Sequence, residues 1–240
     1  GIASGFGFLD RAAGFEIARA PIEFSSRDTY ARALLVGLLN TLCVSLIGIV
    51  LATALGVACG VARLSNVWVV STIARGYLEV MRNTPLLLQL LFWYSLSQAL
   101  PGPREALNPL PGVFLCFRGL FVPSLTWHPG YPWFAFERPL LVGFGFQGGA
   151  SVSPEFAALL AGLTTYTAAL IGEITRGGIL AVDSGQSEAA SALGLSRAKT
   201  LRLVVLPQAL RIIIPPTTSQ FLNLLKNSSL AVAIGYPDLI

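Results

Sequence analysis

A set of polar residues lies in or beside apolar runs of this sequence, where a polar side chain is costly unless it has a partner. The set comprises Arg82, Asn83, Thr84, Gln89, Glu173, Gln220, Asn223 and Lys226. A central charge costs about 2.5–3.5 kcal/mol on membrane-insertion scales, so such groups tend to face a bundle interior. Opposed charges such as Glu173 and Lys226 could receive the amino and carboxylate ends of a zwitterion, which makes the set a candidate substrate path. The alternative is that these residues pair with each other or extend to the membrane surface.

Metal, redox and phosphate chemistry have no matching pattern in the sequence. Cys43, Cys59 and Cys116 lack metal or redox spacing, and His128 has no second ligand at metal spacing. No G-x-x-x-x-G-K-[ST] phosphate-binding loop occurs, so the chain is expected to hold no cofactor and to hydrolyse no ATP by that route. Lys and Arg do not cluster with aromatic residues, as binding to nucleic acid would require.

The composition indicates that lipid surrounds the elements that carry these residues. Hydrophobic residues make up 54% of 240 positions and charged residues 12%, whereas soluble domains contain about 45–50% and about 25%. The predicted fold class is therefore all-α, a polytopic transmembrane helical bundle in the lipid bilayer. Apolar runs predict helices at Leu34–Ala62, Leu86–Leu100, Phe156–Gly172 and Leu203–Leu225.

Three local features refine these helices. Gly48, Ala52, Gly56 and Gly60 recur at every fourth position of the first run, a stripe that favours close helix packing. The third helix is expected to begin with Ser153 as its N-cap and Pro at its first turn. In the fourth run, prolines at positions 207, 215 and 216 are expected to break the helix.

The distribution of charge and of helix-breaking residues predicts the domain organisation. The loops at 63–82 and 176–202 are rich in Lys and Arg and are expected to be cytoplasmic. Residues 1–30 are expected to be a periplasmic segment and residues 31–240 a transmembrane domain. Within it, residues 101–153 are dense in Pro and Gly and are predicted to be a periplasmic loop. The sequence neither starts with Met nor closes its last apolar stretch, so truncation at both ends is expected.

Residues 183–206 predict a helical hairpin on the cytoplasmic face. The stretch from Glu188 to Leu193 favours a helix, and Gly194 can adopt the left-handed conformation that ends it. Ser196 can cap the helix that follows. Ala on one side and basic residues on the other suit docking into the groove of a partner.

Several motifs together resemble the permease subunits of ABC importers. The hairpin resembles the EAA loop of that family through Glu188-Ala189-Ala190, Gly194 and Leu206-Pro207. Three further segments resemble those of polar amino acid permeases: Arg82–Gln89, Glu173–Ile179 and Lys226–Leu230. The stretch Gly5–Leu9 is similar to the opening of general L-amino-acid importers. The resemblance covers residues 30–100 and 153–240. Such relatives are expected to carry extra spans where this chain has residues 101–153.

The resemblance implies a MetI-like permease core and a role for each part of the hairpin. It would be a coupling helix in a cleft of the ATP-binding cassette subunit, with small Ala189, Ala190 and Gly194 entering the cleft and Glu188 meeting a basic group. The implied partners are this ATPase, which would hold ATP and Mg, a second permease in a homo- or heterodimer, and a periplasmic amino-acid-binding protein. The implied function is transport of polar L-amino acids across the bacterial inner membrane by a multi-pass subunit that is not itself an enzyme.

Two other functions remain open at this point. An ion-coupled secondary amino acid transporter would also use broken helices, but it predicts inverted repeats and a buried coupling carboxylate. No repeat is visible, and Glu173 is the sole candidate carboxylate. A non-transporting membrane scaffold would explain the stripe of small residues but gives no reason for the hairpin.

Overall fold

The computed structural model describes residues 5–15, 22, 24–127, 134–143 and 145–236, and most of these residues are helical. The helices are α1 (Tyr30–Ala62), α2 (Trp68–Asn83), α3 (Leu86–Gln98), α4 (Pro154–Leu180), α5 (Ser184–Ala192), α6 (Arg197–Thr200) and α7 (Leu206–Asn227). A π-helical segment, Leu201–Val205, joins α6 to α7. His128 lies outside the described residues, so the structure does not bear on it.

Helices form at all four predicted runs, but only two of them have the length and composition of a span. Among the described residues, α1 and α4 are apolar over a stretch long enough to cross a bilayer, by length and composition alone. The 13 residues of α3 reach only about 20 Å, against about 30 Å for the hydrocarbon core. The 22 residues of α7 would suffice in length, but polar residues interrupt them. The expectation that the apolar runs form membrane spans is therefore met, in length and composition, by α1 and α4.

The ends and interiors of these helices follow local chemistry. Ser153 caps α4 as predicted, because its Oγ accepts a hydrogen bond of 3.1 Å from the Phe156 N–H. The prolines at 215 and 216 do not end the helix, since α7 continues through both residues. Two missing N–H groups leave two carbonyls without helical partners. Membrane helices tolerate such prolines because neighbouring groups can satisfy the freed carbonyls.

The expectation of an all-helical fold is also wrong, because the predicted loop at 101–153 contains short strands. They are β1 (Leu107–Leu110), β2 (Val113–Cys116), β3 (Gly119–Val122), β4 (Ser124–Trp127), β5 (Phe134–Glu137), β6 (Leu140–Val142), β7 (Gly145–Gln147) and β8 (Ala150–Val152). An antiparallel sheet has the order β1-β2-β3-β8, and β4-β5 and β6-β7 form separate antiparallel pairs.

The same proline and glycine residues that exclude a helix here are compatible with strands. Pro109 lies in β1, at the edge of the four-stranded sheet, where an N–H can be spared. Pro111-Gly112 forms the two-residue turn from β1 to β2, and Gly112 has φ +83°, the left-handed conformation that a turn of this kind requires. The density of Pro and Gly therefore predicted correctly that no membrane-spanning helix lies here, but it did not distinguish a loop from a sheet.

The chain divides into two compact units. The first contains the described residues up to 44, residues 87–162 and those from 229 onward; the second contains residues 45–86 and 163–228. The strands belong to the first unit. There Gly162 of α4 makes room for Leu90 of α3, because a Cβ at Gly162 would lie 2.5 Å from Leu90 Cδ2.

In the second unit, the stripe of small residues on α1 packs against α4, as predicted. Gly48, Ala52, Gly56 and Gly60 are all buried. A Cβ on Gly56 would lie 2.7 Å from the Ala168 carbonyl oxygen, and one on Gly60 would lie 2.5 Å from that of Gly172. Real Cβ atoms do not approach this closely, so the two backbones touch only because these positions are glycine.

Two other helices of the second unit also contact α4. From α2, the Tyr77 hydroxyl donates to the Thr165 carbonyl at 2.7 Å, and Leu78 is fully buried where a Cβ at Gly172 would come within 2.8 Å of it. From α7, Ile213 occupies the space beside Gly178. Thus α4 is the central helix of this unit.

Gly60→Ala is predicted to destabilise the protein, because the added methyl group meets the Gly172 carbonyl. Overpacking of this kind costs about 1–3 kcal/mol. Gly76→Ala on α2 is the matched control, since nothing lies within 4 Å of its added Cβ. Thermal unfolding of the two purified variants measures the difference, and equal midpoints would contradict the packing described for α1 and α4.

Candidate functional site

The predicted hairpin forms, and its first helix has defined ends. Asp183 caps α5, with its Oδ1 accepting from the Gly185 N–H at 2.7 Å. At the other end Gly194 has φ +77°, which confirms the predicted left-handed stop. The Gly194 N–H donates to the Ser191 carbonyl at 2.9 Å, and the Leu195 N–H donates to the Ala190 carbonyl at 3.1 Å. This pair of bonds is the Schellman motif, which satisfies carbonyls at a helix end.

The second half of the hairpin departs from a simple helix. Ser196 precedes α6 in the extended conformation of an N-cap residue, but its hydroxyl makes no capping hydrogen bond. The π-helical segment follows, and the Leu206 N–H donates five residues back to the Leu201 carbonyl. Pro207 has no N–H, so the α-helical bond to residue 203 cannot form. π-Helical turns are rare in proteins, and those that occur are often found at functional sites.

The surface of the hairpin is more apolar than the sequence analysis predicted. Of the predicted coupling residues, Glu188, Ala189, Gly194, Leu206 and Pro207 are exposed, whereas Ala190 is buried. Ala190 packs within its own chain in this structure, and its entry into a partner's cleft stays a prediction.

The sequence analysis missed the leucines of this surface. Leu193, beside the turn, is 83% exposed, and Leu201 and Leu203 are also exposed. The available signal was a large apolar residue next to a glycine turn in an otherwise polar segment. Exposed aliphatic side chains on a hairpin suit the apolar centre of a protein interface. We name the exposed leucines at 193, 201 and 203 the leucine surface, although Leu201 and Leu203, two residues apart in the π-helical segment, lie on different sides of it.

A side-chain contact joins the hairpin to α7. Gln208 Nε2 donates to Gln186 Oε1 at 3.3 Å and to the Val204 carbonyl at 3.1 Å. These bonds link the first turn of α7 to α5 and to the π-helical segment. The hairpin is therefore joined to α7 by polar contacts as well as by the backbone.

Glu173 of the predicted substrate path is held by three arginines of the second unit. Its Oε2 lies 2.5 Å from Arg63 Nη1 and 3.6 Å from Arg82 Nη1, and its Oε1 lies 2.5 Å from Arg176 Nη2. Arg176 Nε donates to the same Oε1 at 3.1 Å. We name Glu173 with Arg63, Arg82 and Arg176 the arginine cluster. It joins the end of α1, the end of α2 and the last third of α4.

The arginine cluster supports the less specific of the two interpretations of Glu173, that it pairs within the chain. Arg82 was predicted beside it in the substrate set, whereas Arg63 and Arg176 were not included in that set. The signal available in the sequence was that each of these charges stands at the edge of an apolar run.

The other candidate residues of the substrate path are dispersed. Asn83 is exposed at the end of α2, and Thr84 Oγ1 donates to the Val80 carbonyl at 2.8 Å. Gln89 is buried in α3 of the first unit. Asn83 and Thr84 therefore belong to the second unit and Gln89 to the first.

The remaining three candidates share one face of α7. Gln220, Asn223 and Lys226 follow each other at intervals of three residues, and Asn223 Nδ2 donates to Gln220 Oε1 at 3.4 Å. Asn223 and Lys226 are exposed and Gln220 is half-buried. The buried residues of this helix are Ala209, Ile213, Thr217 and Leu224. We name the side chains of Gln220, Asn223 and Lys226 the polar face of α7.

No metal site is indicated within the part of the chain that the structure describes, where no three His, Cys, Asp or Glu side chains come together in a suitable group. The functional surfaces that the described residues do offer are the leucine surface, the arginine cluster and the polar face of α7.

Comparison with known proteins identifies the family. The profile of the family described as "Binding-protein-dependent transport system inner membrane component" matches residues 48–239. The chain is 44% identical over 294 residues to the general L-amino acid transport system permease protein AapQ of Rhizobium johnstonii, covering 99% of this chain and 73% of that protein. It is 36% identical over 318 residues to the glutamate/glutamine/aspartate/asparagine transport system permease protein BztB of Rhodobacter capsulatus, covering 98% of this chain and 75% of that protein.

A solved structure agrees with this result. The crystal structure of an amino acid ABC transporter with histidines superimposes with a TM-score of 0.62 at 28% identity, covering 88% of this chain and 75% of that one. The family profile spans α4, the hairpin and α7, which hold the surfaces described above. The chain belongs to the family of inner membrane components of binding-protein-dependent transport systems.

Proposed function

We propose that this chain is the permease subunit of an ATP-driven importer that carries polar L-amino acids across the bacterial inner membrane. The observation that carries the proposal is the hairpin, a capped and glycine-terminated surface element with exposed leucines in a chain of this family. The substrate class is supported by the similarity to AapQ and BztB, which are amino acid permeases. The ion-coupled alternative has no comparable support.

Leu193, the most exposed member of the leucine surface, would lie in the contact with an ATP-binding cassette subunit. A few residues near the centre of an interface contribute most of its binding energy, inside a ring of contacts that excludes water. Glu188 and Gly194 would lie beside this contact, because both are exposed on the same hairpin. ATP binding would close two ATPase subunits and move the hairpins, so ATP and Mg would act on the partner and no cofactor is assigned to this chain.

Movement of the hairpin would reach the transport path through α7. The Gln208 bonds fix the beginning of α7 to α5, and the polar face occupies its last two turns. Displacing the hairpin would therefore tilt or rotate a helix that presents amide and ammonium groups. Such groups can bind the carboxylate and polar side chain of an amino acid.

The arginine cluster would keep three helices together during this movement. Each arginine comes from a different segment, and all three converge on one carboxylate. Replacing bonds to Glu173 with bonds to a solute would release α1 and α2 from α4. We therefore assign Glu173 and Arg82 to support of the helices and assign solute contact to Gln220, Asn223 and Lys226.

The assembly would contain two permease subunits, two ATPase subunits and a periplasmic binding protein. The basic segments at 63–82 and 176–202 would face the cytoplasm under the positive-inside rule. This orientation places the hairpin beside the ATPase and the strands of residues 107–152 on the periplasmic side.

Leu193→Asp is predicted to abolish co-purification of the ATPase, because a charge would enter the apolar contact. Loss of a central interface residue costs about 2 kcal/mol or more, or about 30-fold in affinity. Leu140→Asp is the matched control: Leu140 is 67% exposed, against 83% for Leu193, but lies in β6. Pull-down from membranes after confirmed insertion is the measurement. Retention of the ATPase by Leu193→Asp would exclude the hairpin as its docking site.

Glu173→Gln is predicted to lower the thermal stability of the permease, because three guanidinium groups would lose their shared carboxylate. Breaking a buried ion pair costs about 3–5 kcal/mol, and partial exposure of this cluster should bring the cost nearer to about 2 kcal/mol. Glu79→Gln on α2 is the control, since Glu79 is exposed. A raised KM for uptake with unchanged unfolding would instead favour solute contact by Glu173.

Asn223→Ala is predicted to raise the KM for amino acid uptake by about tenfold, because a hydrogen bond to a charged solute is worth about 1.5–3 kcal/mol. Thr218→Ala is the control on the same helix, since the Thr218 hydroxyl donates to the Ile214 carbonyl at 3.0 Å. Uptake into vesicles that contain the whole importer provides the measurement. An unchanged KM for Asn223→Ala would remove the polar face from the path.

A further inference from the structure

The arginine cluster carries more positive charge than its one carboxylate can neutralise. Three guanidinium groups surround Glu173, which leaves an excess of two positive charges. Within the described part of the chain, no other carboxylate lies within 4.0 Å of these three side chains. Both oxygens of Glu173 are already engaged by Arg63 and Arg176 at 2.5 Å, so Arg82, at 3.6 Å, is held least closely.

The surplus charge is accessible from outside the protein. The Arg82 side chain is 42% exposed, whereas Arg63 is 18% and Arg176 is 27% exposed. Arg63 follows directly after the last residue of α1, and Arg82 is one residue before the end of α2. Under the orientation proposed above, these helix ends lie at the cytoplasmic surface of the membrane.

An open apolar groove of about 450 Å³ lies between α1 and α2, the two helices that end near this charge. It is lined by Leu55, Cys59 and Ala62 of α1 and by Val70, Ile73 and Tyr77 of α2, among others. Ala62 is the neighbour of Arg63 in the chain. The Tyr77 hydroxyl is already bonded to the Thr165 carbonyl, so the groove offers a polar occupant little to bind. Its volume is within the range of small-molecule sites.

We propose that the arginine cluster and this groove together bind one anionic glycerophospholipid of the cytoplasmic leaflet. The phosphate group would lie against the guanidinium groups of Arg82 and Arg63, and one acyl chain would occupy the groove. The combination of excess positive charge and an adjoining apolar groove matches the two ends of such a lipid. Basic pockets between membrane helices on the cytoplasmic side bind anionic headgroups.

The occupied site would strengthen the contact between α1, α2 and α4. A phosphate has enough acceptor oxygens to bond two guanidinium groups at once. It would hold Arg82, the most loosely held member of the cluster, beside Arg63 and so fix the end of α2 to the end of α1. The proposal rests on the membrane orientation given under the proposed function.

Native mass spectrometry of the complete importer tests the proposal. The purified complex is titrated with phosphatidylglycerol or with phosphatidylcholine of the same chain length. The wild type should retain one phosphatidylglycerol per copy of this chain in preference to phosphatidylcholine. Arg82→Gln should weaken retention about fivefold, the effect of about 1 kcal/mol per surface arginine, and Arg82→Lys should recover most of it. Arg75→Gln, an equal loss of charge at an exposed position of α2, should match the wild type.

Two further experiments distinguish the contribution of the headgroup to binding from that of the acyl chain. Ala62→Phe should fill the groove and weaken retention of long-chain phosphatidylglycerol, but not of the dihexanoyl form. Inorganic phosphate at the same concentration should not displace the long-chain lipid. Displacement by phosphate would overturn the proposal in favour of a free-anion site, and so would equal effects of Ala62→Phe on both lipid forms.

Other outcomes also decide the question. Equal retention of the two headgroups, or equal retention by wild type and Arg82→Gln, would overturn the proposal. The proposal would also be overturned if the complete complex retained less than one lipid per copy of this chain, because a partner subunit would then cover the groove. ATP-dependent uptake is measured on the same preparations. Absence of uptake by the wild type would refute the proposed import function, while a failure of lipid binding alone leaves that function intact.

Discussion

The close approach of α1 to α4 is the contact on which the rest of the second unit depends. Glycines at positions 56, 60 and 172 let the two backbones touch, with no side chain between them. At this separation Arg63, one turn beyond Gly60, reaches Glu173 at 2.5 Å. A larger residue in the stripe would disturb the packing and the arginine cluster together, which makes steric and electrostatic stability of this unit inseparable.

The hairpin and the arginine cluster would divide the work of an importer between them. The hairpin is exposed and joined to α7 through Gln208, so it is suited to receive movement from a partner. The arginine cluster fixes α1, α2 and α4 and is suited to resist movement. A transporter needs both properties, because a displacement is useful only if one part of the protein moves against another that does not.

Local patterns in the sequence predicted the features that depend on a few adjacent residues. The stop at Gly194, the cap at Ser153 and the stripe of small residues each follow from one side chain or one spacing, and the structure contains all three. Features that depend on distant residues were missed. The three arginines meet Glu173 across up to 110 positions of sequence, and the burial of Ala190 depends on how the hairpin folds back. Proline density in 101–153 was misinterpreted because proline excludes helices and central strands but not strand edges.

The π-helical segment determines the direction that Leu193 faces relative to α7. A helix of 3.6 residues per turn advances about 100° with each residue, and a π turn accommodates one more residue than an α turn between the same hydrogen-bonding ends. The segment Leu201–Val205 therefore sets the azimuth of α6 relative to α7. Gain or loss of a single residue there would rotate Leu193 by about 100° around the helix axis relative to α7. The direction that Leu193 faces therefore depends on the number of residues in this segment, even when Leu193 itself is unaltered.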